Sequence, residues 1–302
     1  MKFKLRRYYL YYLGRMAAFL FGLLPMQVGV WLGALAGRAA FYLVPKYRRI
    51  AIDNLTLAFG REKTTPEITA LARRVFENQG RNGAELLNFP KINAANIDRF
   101  VRAQGMDIVD EAFRKGKGTI VLTAHFGNWE VLSAYLRIKN YPGVAVGKKI
   151  YFHKFDAFLN SLRKMHDVNI IYRDGSVKSM LKILKSNRIL GMLADQDVDS
   201  VEGVFVNFFG RPAYTPIGPA ALAAISGAAL IPIVIVREGS KHVFIVDEPI
   251  ELVNTGDREA DIVTNTQKWS DVIESYIRRY PDHWVWMHRR WKTRPTICVD
   301  DR

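Results

Sequence analysis

From residue 118 onward, short apolar runs alternate with amphipathic stretches. The runs predict strands over 119–124, 143–147, 168–172, 189–194, 229–236 and 242–247, and the amphipathic stretches predict helices over 129–139, 154–166, 176–187, 217–226 and 262–280. Regular strand–helix alternation argues for an α/β fold, a mixed sheet flanked by helices on both faces. Upstream the pattern is helical. Ile68, Leu71, Ala72, Val75 and Phe76 recur at helical spacing within 65–89, with Pro66 near the start. Further helices are predicted over 45–58 and 107–115. Residues 195–216 read as one long connection, and such connections inside compact domains are often functional. The chain thus divides into an N-terminal basic and apolar helical segment, 1–60, and an α/β domain with its helical lead-in, 61–302.

The N-terminal segment has its own pattern. Residues 16–37 are uncharged and long enough to span a bilayer. Pro25 and Gln27 interrupt the run, and Gly22, Gly29, Gly33 and Gly37 recur through it. Two helices, about 4–24 and 26–43, meeting at Leu24-Pro25 and lying in the membrane interface, fit the same residues. An interfacial or single-span anchor ranks first, buried core helices second. A signal peptide cleaved near Ala34-Leu35-Ala36 ranks last, because its basic and apolar regions would both be too long.

Charge sharpens this reading. The 302 residues hold 44 Lys and Arg against 29 Asp and Glu, a net +15. The first acidic residue is Asp53, and nine basic residues precede it. Basic residues beside an apolar block suit an anionic membrane surface better than nucleic acid. Cys298 is the sole cysteine, so no intrachain disulfide forms and a reducing compartment is compatible.

The chemistry concentrates at Thr119-Ile-Val-Leu-Thr-Ala-His125-Phe-Gly-Asn-Trp-Glu130. His125 ends a buried strand, Gly127 and Asn128 turn the chain, and Asn128 can cap a helix beginning at Trp129. Glu130 then falls in the first helical turn, where the helix dipole favours its ionised form. A neutral imidazole there can take a proton from an alcohol, and the carboxylate can fix its tautomer and stabilise the imidazolium. The pair is the base half of a serine-protease-type triad, with a substrate hydroxyl in place of the serine. His125 and Glu130 are therefore the candidate catalytic residues, with Asn128 and Trp129 beside them for substrate binding. His242 and Asp247 share the spacing of five but lie on a strand, where an odd separation puts them on opposite faces. No G-x-S-x-G elbow, complete P-loop, H-E-x-x-H or paired-cysteine metal motif occurs.

Four blocks, in order, give the chain a resemblance to the bacterial lipid A biosynthesis acyltransferases, the late lauroyl and myristoyl transferases. They are Ile52-Asp-Asn-Leu-Thr-Leu-Ala-Phe59 after the basic-apolar segment; His125 to Glu130; Ala194-Asp-Gln-Asp197 leading to Val204-Phe-Val-Asn-Phe-Phe-Gly-Arg-Pro212; and Trp286-Met-His-Arg-Arg-Trp-Lys-Thr-Arg-Pro295. The His-x4-Glu block is shared with the wider glycerolipid acyltransferase superfamily; the Asp-Gln and Arg-Arg-Trp-Lys blocks are narrower. The resemblance implies a glycerolipid-acyltransferase-like fold and a fatty acyl thioester donor, on acyl carrier protein or CoA. It also implies a phosphorylated glycolipid acceptor at the cytoplasmic face of the inner membrane, with no metal or redox cofactor. A sister branch acylates phosphatidylinositol mannosides. Lysophospholipid acyltransferases share the His-x4-acid pair but should lack the C-terminal block. A non-catalytic basic membrane-binding protein is the rival from another class, and it should tolerate His125→Ala.

Three further groups fit this expectation. Residues 148–188 carry ten basic residues against three acidic ones, a surface for an acidic carrier protein or the phosphates of CoA. Arg173 closes a strand just before Gly175-Ser176, a phosphate or oxyanion position. Arg289 and Arg290 stand in a C-terminal cluster of basic and aromatic residues suited to a lipid head group. Asp195 and Gln196 follow a buried strand, where α/β folds place ligand-binding residues.

Overall fold

The computed structural model describes residues 5–173, 175 and 177–295. Ser176 and Cys298, named above, lie outside the described residues. In chain order the elements are α1 (Leu5–Leu23), α2 (Met26–Leu43), α3 (Pro45–Phe59), α4 (Thr65–Leu87), α5 (Ile97–Phe100), β1 (Val101–Gln104), α6 (Met106–Arg114), β2 (Thr119–Thr123), α7 (Trp129–Ile138) and β3 (Gly143–Gly147). There follow α8 (His153–Lys164), β4 (Asn169–Tyr172), α9 (Val177–Lys185), β5 (Ile189–Leu193), β6 (Gly203–Phe208), β7 (Arg211–Pro216), α10 (Gly218–Ser226), β8 (Ala229–Glu238), β9 (Lys241–Val246) and α11 (Arg258–Arg279).

Seven strands form one sheet in the order β1-β9-β8-β2-β5-β3-β4, all neighbours parallel except β8 and β9. The sheet is therefore mixed, as the alternation predicts. Strand β2 is buried along its whole length because helices cover both faces. Ile120 and Leu122 face a core with Leu184, Trp269 and Ile273, whereas Val121 faces Val131, Tyr135 and Phe244 on the other side.

The N-terminal run breaks at Leu24-Pro25, so its uncharged stretch is divided between α1 and α2. Pro25 cannot donate to the preceding turn, and Lys91 Nζ donates to the Leu24 carbonyl just beyond the end of α1. The recurring glycines have a packing cause. A Cβ at Gly33 would come 2.5 Å from the Gly80 carbonyl oxygen, and one at Gly37 would come 2.1 Å from that of Phe76. Helix α2 thus lies against α4 at backbone contact. Helix α4 itself starts on a capping box between Thr64 and Glu67 and buries Ile68, Leu71, Ala72, Val75 and Phe76. No single helix among the described residues is long and apolar enough to cross a membrane; α2 and α3 together are, but they meet at 91°.

The stretch 195–216, read from sequence as a long connection, contains the antiparallel hairpin β6–β7. Its two-residue turn has positive φ at both Phe209 (55°) and Gly210 (71°), the backbone of a type I′ turn. Phenylalanine is a poor signal for that turn. Tertiary contacts hold it there: the Phe209 amide donates to Glu274 Oε2 at 2.6 Å, and its ring packs edge-on against Phe59.

Candidate active site

Strands β2 and β5 are parallel neighbours in which Thr123 pairs with Leu193. Two residues beyond each strand end, His125 and Asp195 emerge at the same level. The chain leaves β2 toward the face covered by α7 and leaves β5 toward the face covered by α10. A crevice opens where such connections diverge, at the carboxyl ends of the strands.

His125 Nδ1 lies 2.8 Å from Asp195 Oδ1, and the His125 backbone amide donates to Oδ2 of the same carboxylate at 3.1 Å. The indole of Trp284 adds a third hydrogen bond, Nε1 to Oδ2 at 2.7 Å. Burial alone would raise the Asp195 pKa. The charge on His125 and the hydrogen bonds from His125 and Trp284 outweigh it and hold the carboxyl at about 2. Asp195 is therefore ionised and can only accept. The imidazole must carry its proton on Nδ1, which leaves the lone pair on Nε2. Nε2 has no hydrogen-bond partner among the described residues, and the side chain is 26% exposed. Trp129 covers one side of the ring edge-on, with centroids 5.3 Å apart.

This corrects the sequence reading of Glu130. Its carboxylate does not orient His125. It forms a two-pronged ion pair with Arg163 at the end of α8, Nε to Oε2 at 2.8 Å and Nη2 to Oε1 at 2.5 Å. The cause lies in the turn. Gly127 has φ +57°, and a Cβ there would stand 1.7 Å from the Ile235 carbonyl oxygen. Asn128 then caps α7 by accepting from the Val131 amide. The first turn of α7 so placed aims Glu130 at α8, while strand register brings Asp195 to the imidazole.

The turn is held from behind by a buried network. Asn82 Nδ2 donates to the Gly127 carbonyl at 2.6 Å, and Asn128 Nδ2 donates to Glu85 Oε2 at 2.7 Å. Glu85 also accepts from both terminal nitrogens of Arg237 and lies 3.0 Å from His242 Nε2. Burial works against its charge, but His242 and Arg237 hold its pKa far below the usual carboxylate range. Asn128, expected to bind substrate, is thus committed to the cap and to Glu85. His242 and Asp247 do face apart: one meets Glu85 and the other the hydroxyl of Tyr276.

The remaining predicted residues separate into two places. Arg173 lines an apolar cavity of ≈ 370 Å³ with Val146, Met180, Met192 and Ala194, which adjoins Asp195 along the chain. Gln196 is half-buried between Asp195 and Asp197. Asp197 accepts from both the amide and the hydroxyl of Thr293. Arg290, expected to bind substrate, is fully buried instead. It donates to the Tyr214 carbonyl at 2.6 Å and to Thr215 Oγ1 at 2.5 Å, which pins the C-terminal segment to β7. Arg289 is exposed and lines a separate basic cavity. Sequence reasoning missed the roles of Trp284, Arg163 and Glu85, whose partners are distant in the chain. It also missed His288, whose pKa is pushed down to about 4, chiefly by burial, with Asp195 opposing and the charges of His125 and Arg290 adding to it.

A family model described as bacterial lipid A biosynthesis acyltransferase matches residues 1–293. The chain is 27% identical over 293 residues to the lipid A biosynthesis lauroyltransferase of Escherichia coli (strain K12), covering 96% of this chain and 93% of that protein. It is 23% identical to the lipid A biosynthesis palmitoleoyltransferase of the same organism, with the same coverage. It is also 26% identical over 223 residues to a phosphatidylinositol mannoside acyltransferase of Mycobacterium tuberculosis, covering 71% of this chain and 68% of that protein. The chain, which sets an imidazole against a buried carboxylate at the carboxyl end of the sheet, thus belongs to the bacterial lipid A biosynthesis acyltransferase family and is an acyltransferase.

Proposed function

We propose that this enzyme transfers a fatty acyl chain from an acyl thioester, on acyl carrier protein or CoA, to a hydroxyl of a membrane glycolipid of the lipid A precursor class. The observation that carries the reading is the free Nε2 of His125, backed by Asp195, which directly follows Ala194 in the wall of an apolar cavity of ≈ 370 Å³. Nε2 takes the acceptor proton as its oxygen attacks the thioester carbonyl. The imidazolium formed is stabilised by Asp195 and returns the proton to the departing thiolate. The apolar cavity suits an acyl chain, with Arg173 at its wall.

A lipid A precursor is favoured over a phosphatidylinositol mannoside because the likeness to the lauroyltransferase extends over 96% of the chain, against 71% for the mannoside enzyme. The exposed lysines Lys178, Lys182 and Lys185 on α9 suit docking of an acidic carrier protein. The enzyme works at the cytoplasmic face of the inner membrane, docked through the apolar outer stripes of α1 and α2.

The test is mass spectrometry of membrane lipids from cells with and without this protein. Expected is a mass step of one acyl chain on a phosphorylated glycolipid, absent in cells that carry only the His125→Ala form. An unchanged glycolipid profile would remove the reading.

A further inference from the structure

A second cavity, of ≈ 700 Å³, opens between α3 and the C-terminal segment. Its wall carries Lys46 and Arg49 from α3, and Arg289, Lys292 and Arg294 from the segment, against a single lining acid, Asp53. Lys292 is already paired with Asp199 at 2.9 Å. Arg49, Arg289 and Arg294 are exposed and have no carboxylate partner among the described residues. Three guanidiniums left unpaired around one concavity repel each other unless an anion enters. Their planar forks match tetrahedral oxyanions such as phosphate better than a diffuse acidic surface.

Two placements narrow the anion to one attached to a lipid. First, the cavity begins where the apolar outer surface ends: Leu43 is 78% exposed and Val44 is exposed, and Pro45 and Lys46 already line the cavity. A phosphate seated here has apolar protein surface at its rim for hydrocarbon. Second, the cavity is fixed to the catalytic centre. Asn54 on its wall donates to the carbonyls of Trp286 and His288. The same segment supplies Trp284 to the Asp195 carboxylate.

We propose that this cavity binds the phosphate monoester of the lipid acceptor, with Arg49, Arg289 and Arg294 as its principal ligands, and so selects phosphorylated over unphosphorylated acceptors. The inference rests on the acceptor being a membrane lipid, as proposed above. The cavity is concave and about the size of a small-molecule site, so it suits a head group rather than the convex face of a carrier protein.

The test uses full-length protein in dodecyl maltoside micelles and the triple variant Arg49→Gln, Arg289→Gln, Arg294→Gln. All three side chains are exposed, so the fold should survive, and circular dichroism checks this. In the binding arm, dodecyl phosphate is titrated and tryptophan fluorescence is read, with inorganic phosphate and dodecanol as controls. Expected is saturable binding of dodecyl phosphate to wild type, weakened about tenfold or more in the variant. Inorganic phosphate should bind more weakly than dodecyl phosphate, and dodecanol should not distinguish the two proteins. In the kinetic arm, a phosphorylated glycolipid acceptor is compared with the same lipid after phosphatase treatment. Wild type should prefer the phosphorylated form by about tenfold or more in kcat/KM, and the variant by less than about threefold. Equal dodecyl phosphate binding by the two proteins, a preference that persists in the variant, or an effect confined to the donor KM overturns the proposal; the last points to carrier docking. If neither acceptor is acylated, the proposed function fails, and the binding arm still judges the cavity.

Discussion

At the scale of single residues, His125 and Asp195 form one device. The carboxylate fixes the Nδ1 proton, and without that the wrong tautomer presents N–H rather than a lone pair to the acceptor. Asp195→Asn keeps the size but can donate to Nδ1, which reverses the tautomer. It should lower kcat about 10³–10⁴-fold, with acceptor binding retained. His125→Ala should lose about 10²–10⁴-fold, and the double variant should be little worse than the poorer single one, because the two act as a unit. Additive losses in steady-state kinetics would mean that Asp195 works elsewhere. His125 was legible in the sequence because a strand, a glycine turn and a capped helix surround it. Its partner was not. Glu130 is near in sequence and correctly placed in the first helical turn, but the face it presents depends on the left-handed Gly127. Asp195 becomes the partner only through the pairing of Thr123 with Leu193, and an unpaired list of strands does not contain that pairing.

At the scale of elements, the Glu130–Arg163 pair ties the start of α7 to the end of α8. Both side chains are largely buried, at 11% and 18% exposure, so removing either leaves a poorly hydrated charge. Glu130→Ala should therefore cost about 3 kcal/mol of stability, Arg163→Ala about the same, and the double variant clearly less than their sum. Urea denaturation of the four proteins reads this directly; single variants within about 0.5 kcal/mol of wild type would show that the clamp carries no weight. Most strands and helices of the α/β part could be read from periodicity, since β2 and its neighbours are continuous apolar runs between turn residues. Strand β1 was not predicted, and two further features escaped. The β6–β7 turn has Phe209 where the local code calls for Asn or Gly, so only its contacts to Glu274 and Phe59 explain it. The glycines of α2, which weaken a membrane span, instead make a helix crossing with α4 possible.

At the scale of the whole molecule, acid and membrane act on different parts. His288 titrates near 4 in the fold, below its ordinary 6.5. Between those values the unfolded chain binds a proton that the fold refuses, so stability falls as pH drops through that window, by up to about 3 kcal/mol. Asp195, held at about 2 rather than 3.8, loses its contribution only below that, as pH falls through the lower range. His288→Gln should therefore flatten the urea-midpoint curve between about pH 6.5 and about pH 4 while leaving the more acidic limb in place; an unchanged slope would assign the loss to other groups. Membrane attachment concerns the surface of α1 and α2. Helix α2 buries Gly29, Gly33, Gly37 and Phe41 against the protein and leaves Val28, Trp31, Leu35 and Tyr42 outward. On α1, Phe19 (68%) and Leu23 (69%) are similarly exposed. Apolar side chains repeated at helical spacing on the outer side cost free energy in water, about 1.5–3 kcal/mol each when a full side chain could be buried. A bilayer interface removes that cost, and the basic flanks add attraction to anionic lipid. Deleting 1–43 would strip α2 from α4 and confuse detachment with unfolding. Substitution is cleaner: Phe19→Asp, Leu23→Asp and Leu43→Asp together touch exposed positions only. Flotation of the full-length protein with vesicles rich in anionic lipid should show the variant's partitioning reduced about 100-fold or more, with its circular dichroism unchanged. If the variant floats as well as wild type at physiological salt, the apolar stripes do not carry attachment, and the basic residues alone must account for it.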